Sequence, residues 1–141
     1  MTQHYQSDGV SFDFPDDWRL DREDSDDGWT VMLQSRGTAF LTLTCDHSGA
    51  TTEEIAAAAL DALKAEYPTL EVQSKVDSLA GQMAVGHDIQ FFSLDLSNTC
   101  WTRSIYSAEG VMLLLCQCND LELEQYEPVM RAVCASLTVE E

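Results

Sequence analysis

The densest group of chemically capable side chains lies between Asp13 and Asp27, where Asp13, Asp16, Asp17, Asp21, Glu23, Asp24, Asp26 and Asp27 face only Arg19 and Arg22. Calcium is the first chemistry such a stretch suggests, because the ion takes six to eight oxygen ligands and flexible acidic loops supply them. The spacing does not fit. With Gly28 at the turn of an EF-hand loop, the preceding ligand positions would be Glu23, Ser25 and Asp27, and the closing glutamate position holds Gln34. The stretch reads instead as a solvated acidic loop, with docking of a basic partner as the functional alternative. Asp21, Glu23, Asp24, Asp26 and Asp27, with Trp29 beside them as an aromatic anchor, are the candidate partner-binding residues.

Cys116 and Cys118 put two sulfurs on one face of a strand, but a zinc site wants four ligands, and no second Cys or His pair completes it. Of the three histidines, His4 falls in a loose terminus and His47 in a turn. His87 shares a strand face with Met83, Val85, Ile89 and Phe91 and reads as a hydrogen-bonded core or boundary residue, with Asp88 on the opposite face. Trp18, Trp29 and Trp101 read mainly as core. There is no Gly-x-Ser-x-Gly elbow, no phosphate-cradling glycine loop, no His-Glu-x-x-His and no Cys-x-x-Cys. No catalytic, cofactor or metal residue is therefore expected, and the chain is read as a non-enzyme.

The whole composition points the same way. The 141 residues fit one domain, residues 1–141, and 45% are hydrophobic, enough for a core. Twenty-five Asp and Glu against seven Lys and Arg give a net charge of −18, which would repel nucleic acid and anionic membranes. Scarce lysine with abundant acid also suits adaptation to salt. The five cysteines are odd in number and sit in apolar segments, so they read as reduced thiols. No basic stretch leads into an apolar run at the N-terminus, and the expected location is the cytoplasm.

The elements that must position these residues follow from periodicity. Val10-Ser11-Phe12-Asp13-Phe14 alternates as a strand, then turns through Pro15-Asp16-Asp17 into Trp18-Arg19-Leu20. Strands are expected at 29–33 and 38–45. Thr51-Thr52-Glu53-Glu54 is a capping box that opens an alanine-rich helix, stopped by Pro68. Further strands are expected at 70–76 and 82–96, the second with a bulge, or covered on both sides, where its apolar phase switches at Phe91-Phe92, and then at 99–107 and 111–118. Val111 to Cys116 has no polar face, so it should be a central strand covered on both sides. Leu123, Tyr126, Met130, Val133 and Leu137 make a helical stripe, and Pro128 places the main helix at 127–136, after a short turn. The expected fold class is α+β: one twisted, mainly antiparallel sheet flanked by helices on both faces, an α/β/α sandwich.

Gly9-Val10-Ser11-Phe12-Asp13-Phe14-Pro15-Asp16-Asp17-Trp18 resembles the opening strand and Pro-x-x-Trp turn of the PsbP/DcrB-like superfamily, and the rest of the chain runs in a similar order. The resemblance implies an antiparallel sheet between helices that binds other proteins, as in a photosystem subunit, a Ran-binding nuclear-import factor and type VI effector chaperones. It carries over no functional residue. The resulting expectation is a cytoplasmic adaptor or chaperone whose sheet edge or acidic rim docks another protein of unknown identity. A small-ligand or calcium-binding domain and a structural subunit of a larger assembly remain the alternatives.

Overall fold

The computed structural model describes residues 1–140. In chain order the elements are β1 (Thr2–Ser7), β2 (Val10–Pro15), β3 (Arg19–Ser25), β4 (Gly28–Gln34), β5 (Phe40–Asp46), α1 (Thr52–Glu66), β6 (Glu71–Leu79), β7 (Gln82–Ser93), β8 (Leu96–Tyr106), β9 (Val111–Asn119), α2 (Leu123–Ser136) and β10 (Thr138–Val139). β1 and β2 form a hairpin through Asp8 and Gly9, both at positive φ, the backbone that a two-residue turn between twisted strands requires. His4 therefore does not lie in a loose terminus: it sits on β1, its Nδ1 2.7 Å from the Asp13 carboxylate. β10 pairs on the other side of β2, completing a three-stranded sheet.

The remaining seven strands form an antiparallel sheet in the order β3-β4-β5-β9-β8-β7-β6. β9 is its middle strand, as the unbroken apolar run requires. Met112, Leu114, Cys116 and Cys118 are buried toward α2, whereas Leu113 and Leu115 on the other face are only partly covered, by α1. Trp29, Val31 and Leu33 of β4 and Leu41, Leu43 and Cys45 of β5 share the first of these cores with Phe12, Phe14 and Met130. Gly28 is needed between them, since its φ is +144° and a Cβ there would lie 1.8 Å from the Cys45 carbonyl oxygen.

α1 begins as its capping box demands, with the Glu54 N–H donating to Thr51 Oγ1 (3.1 Å) and the Thr51 N–H to Glu54 Oε1 (3.2 Å). Its alanine-rich stripe lets it lie low over β7, β8 and β9, where Leu60, Leu63 and Tyr67 pack on Ile89, Phe91 and Cys100.

Three expectations are corrected. The phase switch at Phe91-Phe92 is neither a bulge nor a doubly covered strand: β7 and β8 stay in register from Val85 opposite Ser104 to Ser93 opposite Leu96, and Phe92 is exposed. The chain turns at Leu94-Asp95, both at positive φ, and leaves Phe92 and Leu94 exposed at the hairpin end. Helix α2 starts at Leu123, with Pro128 inside it. Pro128 is exposed, so the Glu124 carbonyl it leaves without an intrahelical donor can bond to water. Finally, the fold is mixed α+β and mostly strand, with two sheets where one was expected and a single helix on each face of the larger. α2 shares its side of the large sheet with the three-stranded sheet, whose Val10, Phe12 and Phe14 supply apolar cover beside the helix. Of β6 only Leu79 enters this core; residues 71–78 are all exposed.

Candidate functional site

On the α2 side of β6, β7 and β8 the large sheet is left partly open, and a cleft of about 500 Å³ runs between those strands and the helix. Near its floor stands Arg103 on β8, only 4% exposed. The sequence places it there by alternation, with Trp101 and Ile105 on the same face and Thr102 and Ser104 on the other. Its partner across the β7 ladder is Gly86, where a Cβ would come within 1.8 Å of the Thr102 carbonyl oxygen.

Every edge of the Arg103 guanidinium is used. Its Nε donates to both Asp77 carboxylate oxygens (3.0 and 3.1 Å) and one terminal nitrogen to Asp88 (2.9 Å). The other terminal nitrogen donates to the Thr102 carbonyl (2.7 Å) and the His87 carbonyl (3.3 Å). Burial alone would pull its pKa down, but Asp77 and Asp88 outweigh that and hold it above the ordinary arginine value. This cluster ties three neighbouring strands together by charge. Beside it, the Arg131 guanidinium lies 4.3 Å from the centre of the Trp101 ring and is held by Glu127 one turn earlier on α2 (3.2 Å). Glu71, Gln73, Gln90 and Thr99 complete a polar, net acidic rim. These groups can bind cations and hydrogen-bond donors.

His87 points away from this cleft. Burial first, then Lys64 and Arg103, keep its pKa below the ordinary 6.5. The residue is half-buried, as a boundary position would be, but its Nδ1 is buried with no partner, contrary to the hydrogen bond expected of it. Asp88, on the opposite face, is taken by Arg103, so the two do not form a catalytic pair. Cys116 and Cys118 do share a face but diverge in partners: Cys116 meets Cys134, while Cys118 donates to the Asn119 carbonyl. Among the described residues no three His, Cys, Asp or Glu side chains gather as metal ligands, and no helix is long and apolar enough to cross a membrane.

The acidic stretch singled out in the sequence lies at the far edge of the sheet and is mostly strand, so the loop reading is corrected. Alternation on β3 sends Asp21 and Glu23 to one face and Asp24 to the other, and Asp26 and Asp27 make the turn into β4. Arg22 neutralises part of the group: it bonds Asp24 (2.8 Å), Asp8 (2.7 Å) and the Tyr5 hydroxyl (2.8 Å). Asp24 and Asp8 raise its pKa despite burial, and Arg22 in turn holds the Asp8 carboxyl below the usual range. Trp29 is 5% exposed and lies beneath this guanidinium, 4.9 Å away, so it cannot serve as an exposed anchor. The six candidate residues are not gathered into one surface. The Arg103 cluster went unremarked in the sequence, where the available signal was a lone arginine inside an otherwise uncharged run, Thr99 to Tyr106.

No protein-family model and no curated protein matches this sequence. Solved structures do resemble it. Cyanobacterial PsbP (CyanoP) from Synechocystis sp. PCC 6803 aligns with a TM-score of 0.66 at 12% identity, over 98% of this chain and 92% of that one. A Pseudomonas aeruginosa protein of unknown function, PA94, aligns at 0.59 with 16% identity over 92% of this chain and 91% of that one. LpqN of Mycobacterium tuberculosis, involved in cell envelope biogenesis, aligns at 0.58 with 18% identity over 100% of this chain and 90% of that one. At such identities likeness speaks for architecture alone, and on that evidence the chain has the PsbP-like fold.

Proposed function

We propose that this protein is a non-enzymatic protein-binding module, an adaptor or chaperone that takes up an extended, Lys- or Arg-bearing segment of another protein along β6. The observation that carries the reading is the outer edge of that strand. β6 ends the seven-stranded sheet, is nine residues long, and is exposed at all but its last residue. Such an edge offers unpaired N–H and C=O groups to an added strand. The opposite edge, β3, is guarded by five charged side chains in seven residues, whereas β6 has only Glu71, Lys75 and Asp77 and no proline.

A strand added at β6 would direct alternate side chains toward the cleft, where Glu71, Asp88 and Glu127 favour cationic partners. The net charge of −18 supports the same choice, because it steers basic segments inward and repels acidic ones. Five free thiols fit a cytoplasmic setting. None of the three similar structures is described as an enzyme.

The test is a panel of nonapeptides alternating valine with lysine, glutamate or serine, titrated by fluorescence anisotropy at low and moderate salt, with amide exchange read on the complex. The lysine peptide should bind tightest, weaken with salt, and protect β6 amides. Protection confined to other strands, or equal binding of the glutamate peptide, would overturn the reading.

A further inference from the structure

Two of the five cysteines stand in contact across the main core. Cys116 lies on the α2-facing side of β9 and is fully buried. Cys134 lies in the last turn of α2, with its Sγ 4.0 Å from that of Cys116. It is also the only one of the five that is not fully buried. Cys134 lines a cleft of about 590 Å³ between the end of α2 and the β6–β7 turn, and Arg131, one turn earlier on the helix, lines the same cleft.

The two thiols are differentiated by these surroundings. Burial keeps the Cys116 thiol protonated, well above the ordinary range, and it can donate its S–H to Cys134. That donation, followed in effect by the positive charges of Arg131 and Arg103, outweighs the burial of Cys134 and lowers its pKa. The other three thiols are pushed up by burial, Cys100 to about 12. One sulfur, on a partly exposed residue lining the cleft, is thus suited to carry negative charge, and a second, protonated sulfur is in contact with it.

We propose that Cys134 and Cys116 form a hydroperoxide-reactive dithiol, with Cys134 as the attacking sulfur reached through the cleft and Cys116 as the resolving one. The Cys134 thiolate attacks one oxygen of hydrogen peroxide. The O–O bond breaks, leaving a sulfenic acid on Cys134 and hydroxide, which takes up a proton to become water. The Cys116 sulfur then attacks the Cys134 sulfur. The S–O bond breaks, the S–S bond forms, and the departing hydroxyl leaves as a second water with the Cys116 proton. In sum, the dithiol loses two hydrogens and peroxide is reduced to two waters. To bond, the sulfurs must close from 4.0 Å to about 2.05 Å. The product staples α2 to the middle strand of the sheet.

The full-length protein and its Cys134→Ser and Cys116→Ser variants, each checked for native circular dichroism, are treated with stoichiometric hydrogen peroxide. Products are read by intact mass, dimedone trapping and non-reducing peptide mapping. The wild type should lose about 2 Da and yield a crosslinked Cys116–Cys134 peptide pair. Cys116→Ser should accumulate dimedone-reactive Cys134, gaining about 16 Da before trapping. Cys134→Ser should react at least about tenfold more slowly, and Arg131→Gln should slow the first step without stopping the second. Stable Cys134 sulfenic acid in the wild type, a crosslink between other cysteines, or equal reactivity of Cys134→Ser would overturn the assignment.

Discussion

Replacing Arg103 by methionine removes all five guanidinium donors while keeping an unbranched aliphatic side chain in the buried position. The magnitude follows from unequal burial. The Arg103 side chain is 5% exposed, but those of Asp77 and Asp88 are 49% and 39% exposed. Once the guanidinium is gone, both carboxylates rehydrate, so the loss falls short of the roughly 3–5 kcal/mol of a broken, wholly buried pair. Two charge-assisted contacts, each discounted for exposed partners, and two carbonyl contacts leave about 2–3 kcal/mol. At this chain length that is a fall in Tm of about 6–12 °C. The complementary change, Asp77→Asn with Asp88→Asn, leaves the buried cation without a counterion and should cost more, about 3–5 kcal/mol. Urea unfolding followed by tryptophan fluorescence measures both variants. Amide exchange should localise the Arg103→Met effect to β6, which buries only Leu79, and spare β9. The reasoning fails if Arg103→Met costs less than about 1 kcal/mol, or if the double variant proves the milder.

Three further expectations rest on other parts of the molecule. Trp29→Ala should destabilise by about 3–5 kcal/mol because Trp29 is core; a calorimetric Tm equal to wild type would restore it as a surface anchor. His87, held below 6.5 by burial, stays neutral in the fold while the unfolded chain takes up a proton. Its contribution is therefore present above pH 6.5 and lost as pH falls through that value, so wild type minus His87→Gln stability should shrink between about pH 7.5 and 5.5, and a constant difference would count against the shift. Raising NaCl from about 0.05 to 1 M should raise Tm by screening a net charge of −18, and a flat or falling melt would show that self-repulsion does not limit stability.

Much of the fold was legible because its signals are local. The alternation at Val10–Phe14, the Thr51/Glu54 box and the apolar run of β9 each depend on residues within one or two turns of chain, and each corresponds to an element of the structure. The Phe91–Phe92 phase switch misled because a hairpin turn through Leu94 and Asp95 is an unusual use of positive φ by residues other than glycine. β1 was hidden because Thr2–Ser7 is almost wholly polar and becomes a strand by pairing with β2.

The candidate site was less accessible. A count of carboxylates drew attention to Asp13–Asp27, yet which acids meet a cation is set by strand register, and register joins residues far apart in the chain. Arg103 lies 26 positions from Asp77 and 15 from Asp88. The sequence alone determined the periods, the caps, the acidity and the presence of an apolar middle strand, since these arise from neighbours along the chain. Only the tertiary structure decided that Trp29 is buried, that Arg103 is neutralised, that Cys116 meets Cys134 and that β6 keeps a free edge. Those facts depend on which faces pack together and where the layers stop, and no local pattern encodes that.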